Sequence, residues 1–549
     1  MIDFNKIYNV HFVGVGGVSM HSLALFCKSL GWKVSGSDII ENKYTEKCQK
    51  NGIKIFYGHT KKNINSPDFV VKTSAIKADN EEVAFAQKMG IKIYDRADFL
   101  NEILKKIPTV IAIAGTHGKS TTSAMLYQIL HNAKRRVSCH IGADIDNARL
   151  NITDDIVVLE ACEYNKNFLK LKVDVAVVLN VEKDHLECYG SFYQLKNAFL
   201  SFLKHAKNRY VFSSINTNYI TLKNLKQIEP PKIIKNKFIF EKHTYTLDFL
   251  TGQQYVFDAC VAIKIAIDFG VPYKIIYETL KKFRPINRRQ QLIAKIPTKT
   301  FKLLNSHFVK TSTNINSNIV KTSRNTINSN NDIVSITPTK ENQHIKSNVI
   351  KQSNTNQFDN SNNLIMFKKT NKDTNCEVTE IYIDYAHHPT EIKCNLEAFC
   401  HYNTLCIFQP HTFSRTKFLK DEFVSVLSNC DCIIYKEYSA RETLKDGLSA
   451  FQLYKDIEKS NKTLSISYDK SIKGKTNEYC DNKKCDKAVD NCSIQSNNSQ
   501  KNVHLIKYAD NKNELKQILS TLDYEKIIFF GAGDIDKVAF SLCHDLLND

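Results

Sequence analysis

The stretch "TVIAIAGTHGKSTTSAM", residues 109–125, decides how the chain is read. Its opening is a near-continuous apolar run, the pattern of a parallel strand buried on both faces. Gly115, Gly118 and Lys119 then place free backbone N–H groups and a cation at the start of a helix, an arrangement that grips an anion. In the common phosphate loop four residues separate the first glycine from Gly-Lys-Ser. Here only Thr116 and His117 stand between Gly115 and Gly118. The physics survives the shortening. Ser120 is placed for Mg²⁺ and Thr121 for a phosphate oxygen, so the stretch reads as a nucleotide site.

Upstream, residues 7–38 read as strand, glycine-rich turn, helix and second strand. Gly14, Gly16 and Gly17 would let backbone approach a diphosphate, and Asp38 ends the next strand, where it can meet a ribose. Ser19 stands where the third glycine of the dinucleotide fingerprint would be. A dehydrogenase reading would use this turn and leave the second loop without a task. Downstream, "DIVVLEACEY" and "VDVAVVLNVEKDHL" are apolar strands that end in polar residues. Glu160, Glu163, Asp184 and His185 therefore fall on one sheet edge beside Ser120, where a carboxylate and an imidazole suit a divalent metal bound to triphosphate.

The 549 residues suit three domains, expected at 1–107, 108–285 and 286–549. Composition limits the partners. The net charge of +19 is not a nucleic-acid footprint, because residues 297–376 carry 11 Lys/Arg against 4 Asp/Glu and residues 461–503 carry 8 against 5. Ten of the excess charges thus sit in two Asn/Ser/Lys/Thr-rich segments, which read as passive surface insertions. No apolar run reaches the roughly 18 residues of a membrane span, and no basic leader opens the chain, so a cytoplasmic protein without membrane insertion is expected. Sixteen scattered cysteines without a C-x-x-C indicate free thiols, and Cys480, Cys485 and Cys492 lack metal-ligand spacing.

"GVGGVSMHSLA", "SGSD", "TSAI", "AGTHGKSTT", "EACEYNKNFL", "NVEKDHLECY", "RR", "DYAHHPTEI", "FQPHTFSRT" and "GAGDI" follow one another in the order seen in the Mur ligases, which the chain resembles throughout except in the insertions. Within that family it is similar to the alanine-adding branch. The resemblance implies an α/β fold of three domains: a Rossmann-like UDP-binding domain, a central P-loop-type ATPase domain with a parallel sheet, and a C-terminal Rossmann-like domain closing over the reaction centre. The implied activity is ATP-dependent, ADP-forming ligation of L-alanine to UDP-N-acetylmuramate through an acyl phosphate.

By that resemblance Gly14, Gly16, Gly17, Asp38 and Ser74 would hold the UDP moiety. Gly115, Thr116, His117, Gly118, Lys119, Ser120 and Thr121 would cradle ATP, joined by Asp258, Arg288, Arg289 and Asp384. Ser120, Glu163 and His185 would position Mg²⁺, with Lys119, Glu163 and His185 as the catalytic set. Tyr385, His387, His411 and Arg415 would line the acceptor pocket. The sequence departs from the pattern in places. The adenine patch "GxHNxxNA" reads "GQQYVFDA", with Gln254, Tyr255 and Asp258 substituted; "RRFQ" reads "RRQQ"; Ile383 and Thr412 replace an Asp and an Arg. Two alternatives stand beside this reading: a recycling ligase that adds a tripeptide to the same sugar nucleotide, and a sugar-nucleotide-binding relative without catalysis. Oligomeric state has no signature in the sequence.

Overall fold

The computed structural model describes residues 2–142, 149–213, 222–234, 237–298, 378–439, 447–473 and 504–548, with short pieces at 300, 358–359, 364–366, 442 and 444. Cys480, Cys485, Cys492 and most of both low-complexity segments lie outside the described residues. The chain forms two compact units, Met1–Asn287 and Arg288–Asp549.

The first unit contains two parallel sheets. Strands β1 (Asn9–Val13), β2 (Lys33–Asp38), β3 (Lys54–Tyr57), β4 (Phe69–Lys72) and β5 (Lys92–Asp95) lie in the order β3-β2-β1-β4-β5. All pair in parallel, so the order reverses beside β1, and the crevice at its carboxyl end receives the glycine turn. The second sheet comprises β6 (Thr109–Ala114), β7 (Val137–His140), β8 (Ile156–Glu160), β9 (Val175–Val178), β10 (Asn208–Phe212) and β11 (Leu225–Ile228). Their order is β11-β10-β9-β6-β8-β7, again all parallel. β6 therefore lies between β8 and β9, which brings the three loops that follow these strands to one edge. A small antiparallel sheet of β12 (Lys232–Ile234), β13 (Lys237–Phe240) and β14 (His243–Thr246) adjoins it in sequence.

The apolar core does not stop at residue 107. One cluster joins Val10, Phe12, Phe69 and Phe99 of the first block to Val110, Ala112, Phe168 and Phe202 of the second. Polar contacts follow the same seam: Asn101 Oδ1 accepts from Lys172 N (2.6 Å), and Lys170 pairs with Asp98 (3.2 Å).

The second unit is built on one mixed sheet. Its strands are β15 (Gln291–Pro297), β16 (Phe358–Asp359), β17 (Leu364–Met366), β18 (Val378–Asp384), β19 (Thr404–Phe408), β20 (Cys432–Tyr435), β21 (Ile506–Ala509) and β22 (Lys526–Phe530). The order is β16-β17-β15-β18-β22-β19-β20-β21, with β15 antiparallel to β18 and the strands from β18 to β21 parallel. The fold reaches into the edges of the two segments read as insertions. Thr298 is buried against Thr379, and β16 and β17 extend the sheet beyond β15, so parts of 297–376 belong to the fold. The helix Ala450–Lys473 likewise runs into 461–503, and Asn461 Nδ2 donates to the His504 carbonyl (2.7 Å). A polar composition concealed this helix because its anchoring residues, Leu453 and Ile457, precede the biased segment.

Glu380 on β18 shows what fastens this sheet. It pairs with Lys295 (2.6 Å) and Lys526, and accepts from the Tyr382 hydroxyl (2.7 Å). Burial alone would raise its pKa, but these three partners outweigh burial and hold it at about 2. A depressed carboxylate contributes stability above its unfolded pKa and loses it as pH falls through the folded one. Against an unfolded value near 4.5, this group stabilises the unit by up to about 3 kcal/mol above pH 5. Denaturant midpoints of wild type and Glu380→Gln should differ clearly at pH 7 and converge towards pH 2. A difference that does not change with pH would show that the ion cluster is not its source.

Candidate active site

Strand β6 delivers the phosphate-type loop at the centre of the second sheet. Gly115 (φ 150°) and Gly118 (φ 81°) adopt backbone that favours glycine. A Cβ on Gly118 would lie 2.3 Å from Asp258 Oδ1 and 3.2 Å from Leu179, so the helix Gln253–Asp268 and strand β9 press directly on the turn. Asn180, just past β9, clips the loop from the other side: its side chain accepts from His117 N (2.8 Å) and donates to His117 O (3.1 Å). Thr116 Oγ1 accepts from Glu182 N (2.9 Å), and His117 Nε2 lies 3.5 Å from Glu182. Sequence reasoning missed Asn180, although a polar residue at the carboxyl end of a central strand was a usable signal.

Lys119 opens the helix Lys119–Asn132 and folds back over the loop. Its ammonium donates to Gly115 O (2.6 Å), Thr116 O (3.0 Å) and Glu163 Oε1 (3.1 Å), and lies 3.0 Å from Glu163 Oε2. Burial would lower its pKa, but the carboxylates of Glu163 and Glu160 outweigh burial and raise it. Lys119 is therefore a permanent cation. The Ser120 hydroxyl donates to Glu160 Oε2 (2.8 Å), which also accepts from Gly142 N (2.9 Å). Thr121 is buried beside it.

Glu163 is buried, and its Oε2 accepts no hydrogen bond although it lies in ion-pair range of Lys119. The Tyr189 hydroxyl fixes its backbone by donating to Glu163 O (2.5 Å). One ligand atom each from Glu163, Asp184 and His185 lies within 4.8 Å of the others. His185 has left-handed backbone (φ 52°), a costly conformation for a residue with a Cβ. Its ring contacts Asp184 (3.6 Å), Glu187 (3.3 Å) and the face of Tyr164. Two carboxylates, one with a buried oxygen that accepts no hydrogen bond, and an imidazole fit a hard divalent cation. The structure thus groups Glu163 and His185 with Asp184, and directs the third sequence candidate, Ser120, to Glu160.

At the glycine turn after β1, the amides of Gly14 and Val15 donate to Ser37 O and that of Gly16 to Asp38 Oδ2 (2.8 Å). Asp38 also accepts from Ile39 N (2.8 Å), so its carboxylate holds the turn. A Cβ on Gly14 would meet Thr73 at 2.6 Å, and one on Gly16 would meet Asn42 and Asp38 within 3 Å. Gly17 caps the helix Val18–Ser29 without a side-chain hydrogen bond, and the amides of a helix start suit an anion. Ser74 is exposed in the turn after β4. Ser19 bonds His140 Nε2 (2.7 Å) at the end of β7 and accepts from Arg96 (3.0 Å), linking the two sheets of this unit. Burial, helped by the neighbouring Arg96 and His21, drives the His140 pKa down to about 3, so the ring is neutral.

In the second unit, loops after β18, β19 and β22 meet at one end of the sheet. Arg288 (φ 62°) donates to Gly531 O (2.7 Å) and Gly533 O (3.0 Å), and Arg288 and Arg289 each lie 4.9 Å from the Tyr385 ring centre. Asp384 is buried and accepts from Gln290 N and Ala386 N, both at 2.7 Å. Burial lifts its pKa to about 6 against the opposing pull of Arg289. Its carboxylate clamps the backbone on both sides, one amide on each oxygen. Tyr385, His387, His411 and Arg415 come together: His387 packs edge-on to Tyr385 and 6.2 Å from His411, and His411 Nδ1 lies 3.4 Å from Arg415. His411 also stacks on Tyr438, which sequence reasoning did not find.

Residues 9–107 match the Mur ligase family catalytic domain and residues 113–267 the Mur ligase middle domain. A UDP-N-acetylmuramate–L-alanine ligase of Acetivibrio thermocellus is 33% identical over 80% of this chain and 84% of its own length. One from Wigglesworthia glossinidia brevipalpis is 32% identical over 80% and 85%. In fold, the chain is similar to the UDP-N-acetylmuramate-alanine ligase of Thermotoga maritima, with a TM-score of 0.64, 19% identity and coverage of 98% and 99%.

Proposed function

This chain belongs to the Mur ligase family, and from that premise we propose that it joins L-alanine to UDP-N-acetylmuramate with conversion of ATP to ADP and phosphate, the first peptide step of peptidoglycan precursor synthesis. The observation that carries the reading is the convergence of Lys119, Glu163, Asp184 and His185 at one sheet edge, in a chain whose named relatives align over four-fifths of its length. A binding module has no use for that set.

The reaction brings two anions together, so its main requirement is charge neutralisation and alignment. The loop Gly115–Lys119 supplies backbone N–H groups to the nucleotide phosphates, and Lys119 exchanges its carbonyl contacts for the β- and γ-phosphate oxygens. Glu163, Asp184 and His185 would hold Mg²⁺, which would supply positive charge beside the transferring phosphate. The muramoyl carboxylate takes the γ-phosphoryl group to give an acyl phosphate. The amine of L-alanine then attacks the activated carbonyl and phosphate leaves. Tyr385, His387, His411 and Arg415 take the amino acid, and the glycine turn at Gly14–Gly17 takes the sugar nucleotide diphosphate. No helix among the described residues is long and apolar enough to cross a membrane, and we place the protein in the cytoplasm with its nucleotide substrates.

Phosphate release with UDP-N-acetylmuramate and ATP should appear with L-alanine and not with an L-alanyl tripeptide. Release with the tripeptide alone would make the chain a recycling ligase. Release with neither would mark it as a binding relative.

A further inference from the structure

Glu82, in the helix Glu81–Lys88 of the first unit, is a fully buried acid that takes no part in the phosphoryl transfer. Each of its oxygens leads to the glycine turn after β1 by a separate path. Oε2 accepts from the Ser37 hydroxyl (2.6 Å), and the Ser37 carbonyl takes the amides of Gly14 (2.9 Å) and Val15 (3.0 Å). Oε1 accepts from Asn63 Nδ2 (2.6 Å), which also donates to Gly58 O (2.9 Å). Gly58 N in turn donates to Asp38 O (2.8 Å), and Asp38 Oδ2 takes the Gly16 amide. One carboxylate therefore braces both residues that hold the amides of Gly14, Val15 and Gly16.

Strand and turn lie close enough for a shift in one to reach the other. A Cβ on Gly36 of β2 would lie 2.9 Å from Val15 Cβ and 3.1 Å from Phe12 O. Imidazoles complete the network: His59 Nδ1 lies 2.9 Å from Glu82 Oε2 and 3.1 Å from Ser37 Oγ, and His11 Nε2 lies 3.7 Å from Oε1. Burial would raise the Glu82 pKa, but its contacts with His11, Ser37 and Asn63 hold it below the ordinary carboxylate range. A buried charge adds little stability over apolar packing of the same volume. What it offers is fixed hydrogen-bond geometry, the requirement of a shell that supports a binding site.

We propose, on the sugar-nucleotide reading of the glycine turn, that Glu82 is a positioning residue: through Ser37 and Asn63 it sets the turn Gly14–Gly17 for the diphosphate without touching the ligand. Ser37 is itself fully buried, so neither side chain is open to a substrate.

Titration calorimetry on the full-length protein, with UDP-N-acetylmuramate and separately with ATP, tests this. Ser37→Ala cuts one path, Asn63→Ala cuts the other, and Glu82→Ala cuts both. Ser37→Ala and Asn63→Ala should each weaken sugar-nucleotide binding about tenfold, the scale of one lost hydrogen bond to a charged group. Glu82→Ala should weaken it at least as much, and ATP binding should stay unchanged in all three. Without Glu82 the Ser37 hydroxyl has lost the acceptor it acts through, so adding Ser37→Ala to Glu82→Ala should cost nothing further. An unchanged dissociation constant for the sugar nucleotide in Ser37→Ala, an equal loss for ATP, or additive losses in the double variant would overturn the proposal. Should Glu82→Ala fail to fold, Ser37→Ala and Asn63→Ala, whose shared partner is Glu82, carry the test. Wild-type protein that binds ATP but not UDP-N-acetylmuramate would overturn the reading of the turn itself.

Discussion

Replacing Lys119 with alanine is expected to abolish phosphate release while leaving UDP-N-acetylmuramate binding intact. The ammonium is the permanent cation of the loop, held over Gly115 and Thr116 by two carbonyls and Glu163. Its contact with the transferring group grows as charge develops there, so its removal raises the barrier to chemistry far more than it weakens ground-state binding. The loss should be at least about a thousandfold in kcat, the scale of a deleted charge-stabilising group. A second effect accompanies it. Glu163 would be left buried without its counter-charge, which costs about 3–5 kcal/mol when one partner of a buried pair is removed. Steady-state phosphate release, a sugar-nucleotide titration and a melting curve separate these consequences. Turnover equal to wild type in a folded variant would remove Lys119 from the mechanism.

The second large effect belongs to Gly118→Ala. Its backbone at φ 81° disfavours any Cβ by about 1–2 kcal/mol, and the new methyl would lie 2.3 Å from Asp258 Oδ1. Either the Asp258 carboxylate swings aside or the loop shifts from the helix Gln253–Asp268, and a loop displacement near 1 Å at a phosphate site costs about a hundredfold in rate. Combining it with Asp258→Ala relieves the clash but not the backbone cost, so the double variant should recover part of the activity. If Gly118→Ala alone retained full activity, the close contact with Asp258 would be irrelevant to the loop. Asp258, one of the altered residues of the adenine patch, packs against the turn itself.

The sequence revealed those parts of the fold and site that depend on local chemistry. Apolar strands ending in Gly-Lys-Ser, in Glu160 and Glu163, and in Asp184 and His185 already implied a common sheet edge, because parallel strands expose their ligands at their carboxyl ends. It could not reveal which partner each side chain would choose. Ser120 is a metal candidate by position, and its hydroxyl donates to Glu160. Asp38 and Asp384, the ribose candidates, also accept backbone amides of their own turns. Such choices depend on loop paths a few ångströms apart, which spacing does not encode. Polar composition also obscured where the fold resumes, because β16, β17 and the end of the helix Ala450–Lys473 carry few of the residues that signal a core.

The apolar seam between the two sheets of the first unit has a consequence for evolution and engineering. Residues 1–107 look like a portable cassette, a nucleotide-binding module that recombination could move between enzymes. Phe99, Ile103 and Ile107 share their cluster with Val110 and Phe168, so excising the cassette would strip both pieces of a common face and bare it to aggregation. The two sheets share one core and one compact unit. An exchange of sugar-nucleotide preference among such chains would therefore have to proceed by substitution within the pair, or by transplanting it whole.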